Sequence, residues 1–139
     1  MGMKNSIVGE KSYLFALKIV ALVRVLRAQS EYELARQVLR SGTSIGANIE
    51  EALAGVSRPD FISKMGIATK EARETRYWLR LLRDSKTVPS NQINPIIEEA
   101  GELLRMLTSI VKTSRETAPT KLKTHNSQLI TKRLKYGQA

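Results

Sequence analysis

Apolar residues return every three or four positions in four separate stretches of this chain, with polar residues filling the gaps. At about 100° per residue, Leu34, Val38, Ser41, Ile45, Ile49 and Ala52 fall on one face of a helix, predicted from about Glu31 to Ala54. From about Pro59 to Asp84, Phe61, Met65, Ala68, Ala72, Thr75, Leu79 and Leu82 step by four and three, a coiled-coil type of seam. A further helix, starting between Asn91 and Pro95 and ending near Thr117, carries the same steps at Ile93, Ile97, Ala100, Leu104, Leu107 and Val111. Its Glu98, Glu99 and Glu102 face outward, and Gly101 sits beside the seam. The stretch from about Ser12 to Ala28 is apolar most of the way round, which one core face does not require. It is either sandwiched inside a bundle or covered on its far side by another subunit. Residues 1–11 have no clear period and read as a lead-in. Residues 118–139 read as a polar, basic tail with weak apolar spacing at Leu129, Ile130 and Leu134.

Punctuation agrees with these spans. Ser30 followed by Glu33 has the capping-box form, Gly55 suits a helix C-terminus, and Ser57-Arg58-Pro59-Asp60 reads as the next start. Pro89 marks the last tight connection and Pro119 a stop. No strand alternation, hairpin dipeptide or internal repeat is present. Four long helices joined by short turns predict an all-α fold, an antiparallel up-down-up-down four-helix bundle over residues 12–117.

The second helix has an unusual middle. A glycine inside a helix costs about 1 kcal/mol relative to alanine, so Gly42 and Gly46 call for a compensating close approach. Beside this small-residue face runs a polar stripe that includes Arg40, Ser44, Asn48 and Glu51. It could line a pore or a ligand site. The better reading is a structural network in which Arg40 and Asn48 pair with carboxylates such as Glu51 or Glu74 across a helix interface, fixing register. Glu71, Glu74 and Trp78 line one flank of the third helix, where a lone tryptophan is a core edge or an interface anchor. The apolar girth of the first helix, the small face of the second and Trp78 together predict a homo-oligomer.

Charge narrows the choice of partner. The formal charge is +10, with seven Lys/Arg against one Glu from Lys112 onward and sixteen against twelve before it. Such a surplus favours polyanions, nucleic acid first, although a solvated tail kept for solubility fits the composition equally. Lys70, Arg73, Arg76, Arg80 and Arg83 line the other flank of the third helix, spaced to follow a phosphate backbone. The alternative is that these cations pair with glutamates of the fourth helix or of a neighbouring subunit. Aromatic residues are sparse and not interleaved with the basic ones, so single-strand stacking gains little support.

Several chemistries lack their residues. Cysteine is absent and His125 is the sole histidine, so neither a thiolate site, a carboxylate-bridged di-iron centre nor a serine–histidine pair can be built. No phosphate-binding glycine loop occurs. The expectation is a protein that is not an enzyme and needs no cofactor. The run Tyr13 to Leu26 is too short for a membrane span and is broken by Lys18 and Arg24; with Glu10 ahead of it, it does not read as a leader peptide either. A cytoplasmic protein without membrane contact is expected.

The blocks Arg40-Ser41-Gly42-Thr43-Ser44-Ile45-Gly46-Ala47-Asn48-Ile49-Glu50-Glu51-Ala52, Phe61-Ile62-Ser63-Lys64 and Ile67 to Leu82, with its Lys70-Glu71-Ala72 and Tyr77-Trp78-Leu79, arrive in order. From about Ser12 to Thr117 the chain resembles the bacterial four-helix bundle family encoded in intervening sequences of large-subunit ribosomal RNA genes, once described as ribosomal proteins. The resemblance implies a ring, a homopentamer, and kinship with the accessory variability proteins of diversity-generating retroelements, which work with a reverse transcriptase and its RNA. The expectation is therefore a non-enzymatic, oligomeric RNA-binding protein. Its phosphate contacts would be the third-helix cations together with Lys121, Lys123, Lys132, Arg133 and Lys135 of the tail. The rival is a scaffold that docks a protein partner, its charge incidental.

Overall fold

The computed structural model describes residues 3–117, which form α1 (Met3–Ala28), α2 (Tyr32–Ala54), α3 (Arg58–Asp84) and α4 (Ser90–Glu116). Helix α1 packs on α2, α2 on α3, α3 on α4 and α4 back on α1, while the diagonal pairs stay apart. Turns of a few residues send each helix back along its predecessor, which gives the antiparallel four-helix bundle. Every helix feeds the core: Phe15, Ile19 and Leu26 from α1, Ile45 and Ile49 from α2, Met65, Leu79 and Leu82 from α3, Ile93 and Leu107 from α4.

The seam of α3 is buried at all seven predicted positions. On α2, Ala35 and Gly42 join the buried face while Leu34 is half-buried; on α4, Gly101, Leu103 and Ile110 are buried and Leu104 is half-buried. The physical reason is that each helix touches two neighbours, so its buried face is broader than one coiled-coil seam. Ser12, Ser41 and Thr75, the buried polar residues, give their hydroxyl protons to Gly9, Gln37 and Glu71 carbonyls of their own helices, at 2.7 to 3.0 Å.

The beginning of the chain differs from the sequence expectation. Residues 3–11 are not a lead-in but the first turns of α1, with Val8 wholly buried. Its core side there is built of Val8, Gly9 and Ser12, too few large apolar residues to mark a period. Ser30 is not the N-cap of α2 either. It adopts φ 62° and closes α1, with Glu31 N–H donating to Leu26 O at 2.9 Å and Ser30 N–H to Arg27 O at 3.0 Å, the Schellman pattern. Lys86, at φ 61°, ends α3 in the same way. Gly55 is extended rather than left-handed; a Cβ there would stand 2.6 Å from Asp60 Oδ2. Ser57 caps α3 as expected, accepting from Asp60 N–H at 3.2 Å. Helix α4 starts at Ser90, so Pro95 lies inside it.

The close approach demanded by the small residues of α2 is met within the chain. A Cβ on Gly42 would lie 2.8 Å from Ile19 Cγ2, and one on Gly46 3.3 Å from Ser12 Oγ, both on α1. This face therefore supplies no argument for a ring.

Candidate nucleic-acid interface

The cations of α3 lie along its border with α4. Lys70, Arg73, Arg76 and Arg80 are exposed, and Arg83 is half-buried. Arg83 differs in its partners too. It donates to Asp84 Oδ1 at 2.8 Å and to Asn94 Oδ1 of α4 at 3.2 Å, and the bond holds the Asp84 carboxyl below its ordinary range. It is an anchor between α3 and α4 more than an open contact. Midway, Arg76 and Arg105 converge over Gly101, where an added Cβ would meet Arg105 Nη1 at 3.4 Å and Arg76 Nε at 3.9 Å. Lower down, Lys70 and Arg73 face Lys112 and Arg115 of α4 across an open groove.

Pairing with the glutamates of α4 would neutralise this border, and in the structure two of them, Glu99 and Glu102, turn to α1 instead. Glu102 accepts from Lys11 of α1 at 2.7 Å and Glu99 pairs with Lys18 of α1. The hydrogen bond to Glu102, then its charge, raises the Lys11 pKa, and the same bond lowers that of Glu102. Among the described residues, Lys70, Arg73, Arg76 and Arg80 form no salt bridge, nor do Arg105, Lys112 and Arg115. Sequence reasoning missed those three α4 residues as site members. Their signal was the spacing of seven and three on the side of α4 opposite Glu99. The tail residues Lys121, Lys123, Lys132, Arg133 and Lys135 lie outside the described residues.

On the other flank of α3, four of the expected network residues meet. Arg40 of α2 pairs with Glu74, whose Oε2 also accepts the Trp78 indole N–H at 3.3 Å. Arg40 Nη1 is 3.5 Å from Glu71 Oε2. Burial, then the charge of Glu74, pushes the Glu71 carboxyl above its ordinary range, and Arg40 only partly offsets them. Asn48 and Ser44 do not join: they donate to Ser44 O at 2.8 Å and Arg40 O at 2.6 Å, within α2. Glu51 pairs instead with Lys64 at 3.2 Å, further along the same interface. The cluster is a clamp between α2 and α3, with Trp78 half-buried at its edge beside the Tyr77 ring.

Among the described residues no group of His, Asp and Glu side chains is placed to hold a metal ion, and no helix is long and apolar enough to cross a membrane. What remains, Arg83 aside, is a border of cations that form no salt bridge among the described residues. Such an arrangement can attract anions spaced along a line.

Comparison with known proteins adds lineage. Residues 4–109 match the family model described as 23S rRNA-intervening sequence protein. A crystal structure of a protein of unknown function from the S23 ribosomal protein family of Bacteroides thetaiotaomicron superposes with a TM-score of 0.76 at 46% identity, covering 79% of this chain and 99% of that one. No match was found among curated proteins.

Proposed function

This chain belongs to the 23S rRNA-intervening sequence protein family, and from that premise we propose that it is a non-enzymatic, oligomeric RNA-binding protein of the cytoplasm. The observation that carries the reading is the unneutralised border of α3 and α4. Among the described residues, seven cations there form no salt bridge, and Glu99 and Glu102 of α4 pair instead with lysines of α1. Unpaired guanidiniums on a rigid helix are pre-organised for phosphate, and they release counterions when it binds. The basic residues after Thr117 add to the attraction.

Assembly would multiply this charge. Each copy contributes one basic border, and linking copies turns weak contacts into avid ones. The outer side of α1 supports self-association: Leu14 and Leu17 remain 50% and 51% exposed and Val25 47%. A ring of five is the assembly the family resemblance implies. A reverse transcriptase or another protein on the same ring is a secondary partner of this reading. The same apolar face favours the second reading, a scaffold whose docking surface is α1 and whose charge is incidental.

Gel shift across a salt series, with structured ribosomal RNA and with heparin, separates the two. RNA binding should weaken steeply with salt, and Arg73→Ala/Arg76→Ala/Arg80→Ala should flatten the log–log slope by about three. A slope unmoved by that triple variant, or equal affinity for heparin and RNA, would leave the scaffold as the better account.

A further inference from the structure

Gly66 stands in the interior of α3, a position where glycine is less favourable than any residue but proline. Gly42 is explained by Ile19, but nothing lies within 4 Å of where a Cβ on Gly66 would sit. Packing therefore does not require glycine here. What surrounds it is the open groove of about 690 Å³ between α3 and α4. Lys70 and Arg73 stand on one wall, Lys112 and Arg115 on the other. The hydroxyls of Thr69 and Thr108, also in the groove, give their protons to the Met65 and Leu104 carbonyls. Among the described residues the four cations are thus left as the charged donors, and Glu116 is the one carboxylate on the lining.

We propose that this groove receives the phosphodiester backbone of base-paired RNA, and that Gly66 is glycine because a side chain there would fill it. The inference deepens the RNA-binding reading above and rests on it. Among the described residues no aromatic ring lines the groove. Proteins that hold unpaired strands do so largely by stacking bases on such rings, whereas an RNA helix turns its base faces inward and is met chiefly through phosphates and 2′-hydroxyls. Cations on both walls suit a rod of negative charge lying between two antiparallel helices. The missing side chain lets the rod approach the α3 backbone.

The test compares full-length wild type, Gly66→Leu and Lys112→Ala/Arg115→Ala, each titrated with an RNA hairpin and with an unpaired RNA of the same length, alongside thermal melts. Gly66→Leu should melt no lower than wild type yet bind the hairpin about tenfold more weakly, and the double variant should flatten the salt slope by about two. The unpaired strand should bind more weakly than the hairpin. If both variants bind the hairpin like wild type, the groove is not the site, and RNA binding elsewhere on the protein stands. Should Gly66→Leu melt lower, the double variant decides alone. An unpaired strand that binds as well as the hairpin overturns the base-paired assignment. Wild type that binds neither RNA removes this inference together with the reading beneath it.

Discussion

Arg40 Nη1 stands 3.5 Å from Oε2 of Glu71, yet that oxygen, withdrawn from solvent, accepts no hydrogen bond. One guanidinium serves two carboxylates here, and Glu74, which also takes the Trp78 N–H, holds it more closely. Glu71 keeps the desolvation cost and the repulsion of its neighbour, which is why its pKa is raised above 4.5. A carboxyl with a raised folded pKa weakens the fold once ionised. The penalty is absent below the unfolded value and grows as pH rises through the folded one. Glu71→Gln should therefore stabilise the protein at neutral pH by about 1 kcal/mol, the low end of the cost of a buried unsatisfied group. The gain should vanish as pH falls below 4.5. Urea melts of both proteins at several pH values measure it.

Gly42 and Gly66 should respond oppositely to alanine. On Gly42 the new methyl would lie 2.8 and 2.9 Å from the Ile19 side chain, whose branched Cβ leaves it little room to turn away. Helix α1 would have to shift, at about 1–3 kcal/mol. On Gly66 the methyl meets nothing, and the helix gains about 1 kcal/mol. Thermal melts should place Gly42→Ala below wild type and Gly66→Ala above it.

Two helix ends carry side chains where glycine is cheaper. Ser30 and Lys86 sit at φ 62° and 61°, closing α1 and α3. A left-handed residue other than glycine costs about 1–2 kcal/mol, so Ser30→Gly and Lys86→Gly should each raise stability by about 1 kcal/mol once the looser unfolded chain is subtracted. Chemical denaturation of the single variants checks both.

Those same two turns mark where sequence reasoning stopped. The α3 seam could be read outright, since a step of four and three leaves one helix face and all seven residues are buried on it. Ser57 could be read because its cap is a local hydrogen bond within three residues. Ser30 misled because a serine before an acid also has capping-box form, while its left-handed backbone leaves no mark in the sequence. Glycine on α2 announced a close neighbour correctly but could not say that the neighbour was α1. Of the candidate interface, the spacing of the α3 cations could be read from the sequence. Whether they were neutralised depended on Glu99 and Glu102 reaching Lys18 and Lys11, partners 81 and 91 residues away, which no local pattern encodes.

The outer face of α1 carries the last prediction. Ile7, Leu14, Ala21 and Val25 fall along one line of the helix with Leu17 beside it, and among the described elements α1 is held by α2 and, less extensively, by α4. Because the small face of α2 is filled by α1 itself, any assembly has to use another surface, and this line of half-exposed α1 side chains is one that the bundle leaves uncovered. Leu14→Glu/Leu17→Glu places charge on that surface without touching the core, and Glu at position 14 stands four residues before Lys18, a spacing that supports the helix by about 0.3 kcal/mol. Light scattering should then drop from a multiple of 15.6 kDa to that single-chain mass, with the circular dichroism of the bundle intact. RNA affinity should fall with it, because separate copies bind without avidity. Wild type already at 15.6 kDa would reject the assembly, and a double variant that keeps the wild-type mass would move the contact off α1.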